Sequence, residues 1–124
     1  MSLPAANYYE IVEATRAKLG SEFDLPDIIT TGYGHIGDGN LHLNVSLKGY
    51  EDKELQAKVS EATDDFVMNY VREYKGSVSA EHGVGLQKPK YLHYSKSAGA
   101  IKLMHSIKNS FDPNGIMNPY KVLP

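Results

Sequence analysis

The dipeptide Asp38-Gly39 stands between two stretches rich in β-branched residues, Ile28 to Gly34 and Asn40 to Leu47. No other feature of the chain constrains its fold as much. Asp-Gly supplies the positive-φ residues of a tight turn, so the two stretches are expected to pair as an antiparallel hairpin. Before them, residues 7–19 place Tyr8, Ile11, Val12, Thr15 and Leu19 on one face at helical spacing, with Gly20 positioned to end the helix and Ser21 to Pro26 as a polar connector. After them, Gly49 to Asp52 reads as a loop. Residues 53–74 then read as a long amphipathic helix with the stripe Leu55, Val59, Ala62, Phe66, Val67, Tyr70, Val71 and Tyr74, closed by Gly76 as a C-cap. Ser77 to Ala80 reads as a short third strand, and Glu81-His82-Gly83-Val84-Gly85 as a glycine-rich turn. Ser97 is placed to cap a last helix whose Ile101, Met104, Ile107 and Phe111 face inward. Asp112-Pro113-Asn114-Gly115 has turn chemistry, and Pro119 bars a regular helix in the tail. The order α-β-β-α-β-α implies an α+β fold: a small, mainly antiparallel sheet with helices packed on one face.

Size and composition exclude several function classes. A chain of 124 residues suits one domain with its own core. With a net charge of −2 and no basic block, nothing indicates a grip on nucleic acid or an anionic membrane. The absence of cysteine rules out disulfides and Cys-ligated zinc or iron–sulfur sites. No apolar run approaches the roughly 20 residues of a membrane span. Met1-Ser2-Leu3-Pro4 is neither a signal peptide nor an amphipathic transit peptide and reads as a leader added for expression.

The hairpin makes a chemical prediction. With Asp38-Gly39 as a two-residue loop, Gly37 pairs with Asn40, Ile36 with Leu41 and His35 with His42. Cross-strand partners point to one face with Cβ atoms about 4.5–5.5 Å apart, close enough for two imidazoles to share a metal ion. Alternation adds Asn40 and Asn44 to that face and puts Ile36, Leu41, Leu43 and Val45 on the other. The bland alternative is a hydrogen-bonded or surface histidine pair. Glu81-His82, beside two glycines, could supply a carboxylate to complete a two-His, one-carboxylate site with open positions; the alternative there is an exposed acidic turn. Adjacent residues on a strand point opposite ways, so the natural division is Glu81 on the metal and His82 free as a base. His93 reads as a packing or surface residue and His105 as solvent-facing. Gly83-Val84-Gly85 completes no phosphate-binding pattern.

Three stretches resemble a known family: Tyr33-Gly34-His35-Ile36-Gly37-Asp38-Gly39-Asn40-Leu41-His42, Ser77 to Gly85, and Asp112 to Pro119. They are similar to signatures of the C-terminal domain of FAD-linked oxidases and dehydrogenases, a group that includes D-lactate dehydrogenases, glycolate oxidase subunits and D-2-hydroxyglutarate dehydrogenases. Residues 39–45, 76–82 and 118–121, with Tyr94-Ser95-Lys96, look most like the D-2-hydroxyglutarate dehydrogenases. The resemblance implies that the whole of 1–124 is the substrate- and metal-binding C-terminal part of a longer enzyme whose FAD-binding domain is absent from this chain. It implies His35, His42 and Glu81 as metal ligands, most often for zinc, Asn44 as a substrate contact, and His82 as the general base, with Asn118 and Lys121 near the flavin. It further implies a small 2-hydroxy-acid substrate oxidised to the 2-oxo acid, FAD as cofactor, an electron acceptor such as an electron-transfer flavoprotein, and a mitochondrial or cytoplasmic rather than secreted protein. An unperturbed imidazole, with a pKa of about 6.5, suits proton removal near neutral pH. The isolated chain is expected to be inactive, and to expose apolar surface that favours a homodimer. Rival readings are a D-lactate or glycolate enzyme of the same family and a non-catalytic metal-binding module.

Overall fold

The structure, a computed structural model, describes residues 1–48 and 52–123; residues 49–51 of the expected Gly49–Asp52 loop lie outside the described residues. The observed elements are α1 (Tyr8–Glu22), β1 (Ile29–Tyr33), β2 (His42–Ser46), α2 (Lys53–Glu73), the single turn α3 (Leu92–Ser95) and α4 (Ala98–Phe111), with short 3-10 turns at Ala5–Asn7, Ile36–Asp38 and Pro89–Tyr91. β1 and β2 form a two-stranded antiparallel sheet, and α1 packs on β1 and on α2. This is the mixed α+β architecture that the element order implies.

The expected face of α1 is the buried one: Ile11, Val12, Thr15 and Leu19 are all inside. The helix runs past Gly20 to Glu22, because nothing forces a left-handed residue until Asp24 (φ 52). Asp52 caps α2 by accepting from the Leu55 N–H at 2.9 Å, and Val59, Val67, Met68 and Val71 are its buried residues. Lys75, not Gly76, takes the left-handed conformation that ends α2 (φ 53). Gly76 serves a different need, since a Cβ there would land on the Ser2 carbonyl.

Further expectations are corrected. Ser77–Ala80 is not a strand; its sheet-like pairing is one bridge from Ser77 to Ser2. Met1–Leu3 is not a passive leader. Ser2 bridges Asn40 on one side and Ser77 on the other, and Leu3 is buried in the main core with Ile11, Leu41, Val67, Val71 and Val78. α4 forms where expected, with the Ser97 hydroxyl accepting from the Ala100 N–H at 3.2 Å, but it buries no residue. Ile107 and Phe111 are 52% and 83% exposed, and Ile101 and Met104 are only half-buried. Periodicity gave α4 an apolar stripe, yet no described element packs extensively against it. His105, expected in solvent, is half-buried beside that stripe, and His93 is exposed.

The turn after α4 follows its chemistry. Asp112 is buried, and its carboxylate accepts from the Ile116 and Met117 N–H groups, each at 3.0 Å, and from Lys108 Nζ at 2.8 Å.

Candidate functional site

The hairpin closes differently from the two-residue turn that Asp-Gly suggests. Tyr33 pairs with His42 and Thr31 with Asn44, two residues out of the expected register. The connection contains a 3-10 turn over Ile36–Asp38, ended by Gly39 in the left-handed region (φ 69). The His35 carbonyl accepts from both Asp38 N–H (3.0 Å) and Asn40 N–H (3.2 Å), so the chain folds back over itself before pairing begins. Gly34 permits this crossing: its φ is 151°, and a Cβ there would collide with the Asn40 carbonyl. His35 is therefore in the connection rather than opposite His42, Ile36 is exposed rather than core, and Asn40 is buried. His42 and Asn44 share the outward face of β2, with Leu43 and Val45 turned to the helices.

Glu81 arrives from the segment after α2. That segment is anchored at its base: Ser2 N–H to the Ser77 carbonyl (2.9 Å) and Ser77 N–H to the Ser2 carbonyl (3.0 Å). The Val78 N–H donates to Ser95 Oγ (2.9 Å), and Lys88 Nζ donates to the Val78 carbonyl (3.1 Å). Gly83 and Gly85, both at positive φ (75° and 54°), then turn the chain away.

The side chains converge on one carboxylate. His35 Nε2 lies 3.2 Å from Glu81 Oε1, and the Asn40 side-chain amide donates to the same oxygen. His42 Nε2 lies 3.3 Å and His82 Nε2 3.6 Å from Oε2. The Tyr33 ring stacks on His42 with centroids 5.1 Å apart. Burial pushes the Glu81 carboxyl up, but the hydrogen bond from His42, the charges of His42 and His35 and the Asn40 amide outweigh it and hold the group below the usual glutamate range.

This donor set fits a divalent metal. The ligand atoms of His42, Glu81 and His82 all lie within 4.8 Å of one another, and imidazole with carboxylate is chemistry that zinc and other first-row ions accept. His35 reaches the opposite oxygen of the carboxylate and stands outside that mutual grouping. Beside the cluster is a cleft of about 240 Å³ lined by His42, Asn44, Glu81, His82, Asp64 and Lys88 among others. Burial raises the Asp64 carboxyl; Lys90 and Lys88 pull it back and Asp65 pushes it further up, leaving it above the usual aspartate range.

Comparison with known proteins places the chain in a family. Residues 1–122 match the family described as FAD linked oxidases, C-terminal domain. The chain belongs to this family. It is 47% identical over its whole length to a mitochondrial D-2-hydroxyglutarate dehydrogenase of Arabidopsis thaliana, covering 20% of that protein. It is 45% identical over its whole length to the zebrafish (Danio rerio) mitochondrial D-2-hydroxyglutarate dehydrogenase, covering 22% of it. Over 99% of the chain it is 39% identical to a D-2-hydroxyglutarate–pyruvate transhydrogenase of Saccharomyces cerevisiae, covering 25% of that protein. The chain thus spans a fifth to a quarter of the length of these relatives.

The remaining two candidate residues lie away from this cluster. Asn118 and Lys121 lie in the C-terminal tail, where Lys121 Nζ donates to Asn118 Oδ1 at 3.1 Å. They line a different, apolar groove with Ile107, Phe111 and Met117. Sequence reasoning missed Tyr33, Asp64 and Lys88. Asp64 had a signal, being a carboxylate one turn before the buried pair Val67 and Met68 on α2. The stacking of Tyr33 on His42 follows from a register that the turn dipeptide disguised. No helix among the described residues is long and apolar enough to cross a membrane.

Proposed function

We propose that the chain is the substrate- and metal-binding part of a FAD-dependent dehydrogenase that oxidises D-2-hydroxyglutarate, or a related D-2-hydroxy acid, to the 2-oxo acid. The convergence of three imidazoles on the Glu81 carboxylate, beside a cleft that includes Asn44, carries this reading. His35, His42 and Glu81 would hold a divalent metal, with zinc the first candidate, although the mutually close ligand atoms are those of His42, Glu81 and His82 and His35 meets the other carboxylate oxygen. When bound, the metal supplies Lewis acidity for the substrate hydroxyl and the flavin supplies the two-electron sink.

The chain's own residues do the rest. Asn44 offers an amide at the cleft wall to orient the substrate. His82, with 84% of its side chain exposed and its Nε2 beside the metal carboxylate, takes the hydroxyl proton. Asn118 and Lys121 belong to the surface that meets the flavin. The relatives' names support mitochondrial placement. The electrons would pass to an acceptor such as an electron-transfer flavoprotein, and the exposed stripe of α4 offers the isolated chain a surface for homodimerisation.

His82→Ala in a full-length enzyme, assayed with D- and L-2-hydroxy acids and a dye acceptor, should lower turnover by about 10²–10⁴-fold while metal content stays constant. Loss of metal together with retention of turnover after metal is restored would refute the assignment of His82. Faster turnover of D-lactate or glycolate than of D-2-hydroxyglutarate would move the substrate to that branch of the family.

A further inference from the structure

We infer that Asn40 is the positioning residue that makes one metal site out of two chain segments, the hairpin and the stretch that carries Glu81. The inference rests on the metal reading of the site. Asn40 is tied to each proposed ligand by a different route. Its backbone N–H donates to the His35 carbonyl at 3.2 Å. Its side-chain amide donates to Glu81 Oε1. It precedes His42 by two residues on the same stretch of chain.

Asn40 itself is fixed. It is 4% exposed. Its neighbours on both sides are bonded to the N-terminal segment, Leu3 N–H to the Gly39 carbonyl and Leu41 N–H to the Met1 carbonyl, each at 2.9 Å. Ser2 bridges Asn40 and Ser77, so the strand that immobilises Asn40 also anchors the segment that presents Glu81.

The chemistry requires an amide here. A carboxylate only accepts hydrogen bonds, so the group facing Oε1 must be a donor. A buried donor of this kind fixes the rotamer of the carboxylate without competing for metal, as hydrogen bonds behind metal ligands do elsewhere. An aspartate of the same shape would face Glu81 with a second acceptor and a like charge.

The test is metal binding by the 124-residue chain, with zinc measured against a competing chelator and cobalt(II) followed by its visible spectrum. Asn40→Asp and Asn40→Ala are each expected to bind zinc about 10- to 100-fold more weakly than the wild type, and with an altered cobalt spectrum, at a thermal midpoint matched to a control core variant. Affinities and spectra equal to wild type would overturn the role of Asn40 and leave the metal reading standing. Absence of metal from wild type as well would overturn the metal reading, and this inference with it. Should both variants fail to fold, the wild type decides: its ¹⁵N-labelled Asn40 side-chain amide should exchange slowly with solvent and shift on zinc addition. An amide that exchanges freely and ignores zinc would refute the inference.

Discussion

Replacing Gly32 with alanine should break the contact between α1 and the sheet, and the size of the effect follows from the packing. Gly32 is exposed on β1 opposite Leu43, but the direction a side chain would take there points at α1. A Cβ added there would stand 2.6 Å from Val12 Cγ2 and 3.1 Å from Leu41 Cδ1. Carbon atoms in contact prefer about 3.5–4.0 Å, so α1 or β1 must move by about 1 Å. Neither yields easily, because Val12 is 5% and Leu41 3% exposed. Overpacking of this kind costs about 1–3 kcal/mol, or about 4 °C in melting temperature per kcal/mol for a chain of this length. Val12→Ala removes the obstructing methyl. Alone it should cost roughly 2 kcal/mol through two lost methyl groups, but in the double variant the closer clash is gone and only the 3.1 Å approach to Leu41 Cδ1 remains. The two changes should therefore be non-additive by about 1 kcal/mol or more, with the double variant more stable than the sum. Urea unfolding followed by circular dichroism measures all four corners of this cycle. Additivity within about 0.3–0.5 kcal/mol would refute close packing of α1 on Gly32. A displaced β1 also carries Tyr33 away from His42, so zinc affinity should fall alongside stability.

Two further outcomes follow from the anchors of the site and the tail. Gly76→Ala places a Cβ on the Ser2 carbonyl and 3.2 Å from Val71 Cγ1; it should cost about 1–3 kcal/mol in urea unfolding and weaken metal binding, since it breaks the Ser2–Ser77 bridge at the base of the Glu81 segment. The hydrogen bond from Lys108 holds the Asp112 carboxyl below the usual aspartate range; burial opposes it, and the Met117 and Ile116 N–H groups assist. A depressed carboxylate stabilises the folded junction above its unfolded pKa, near 3.9, and that benefit is lost as pH falls through the lower folded value. Amide exchange at Ile116 and Met117, normalised to intrinsic rates, should thus be protected at pH 6 and lose protection below about pH 4, whereas Asp112→Asn should lack protection throughout.

The hairpin illustrates how a sequence can mislead about register and about the faces of the turn, where Ile36 is exposed and Asn40 buried, yet not about the faces of β2. Asp38-Gly39 has the right chemistry for a two-residue turn, but the pair instead ends a 3-10 turn, with both Asp38 and Asn40 N–H groups taken by the His35 carbonyl. The strands consequently pair two residues away from the expected register. Because side chains alternate with a period of two, a shift of two leaves His42 and Asn44 on the outward face and Leu43 and Val45 on the inward one. A shift of one would have reversed them. The helices were legible for a related reason: buried positions such as Ile11, Val12 and Leu19 on α1, or Val59, Val67 and Val71 on α2, fall where a period of 3.6 puts them.

What could not be read depended on partners remote in sequence. Ser77 pairs with Ser2, 75 positions away in the chain, and local pattern around Ser77–Ala80 suggests a strand without naming a neighbour to complete it. The stripe on α4 is the same problem in reverse. Periodicity puts Ile101, Met104, Ile107 and Phe111 on one face of the helix, but it cannot specify what covers them, and in this chain Ile107 and Phe111 are 52% and 83% exposed. Asn40 shows where the two meet. Its type and its place beside the hairpin turn are local features, whereas its bond to Glu81 joins two segments that Ser2 also bridges. A short N-terminal stretch with no motif of its own thus sets the geometry of the residues that have one.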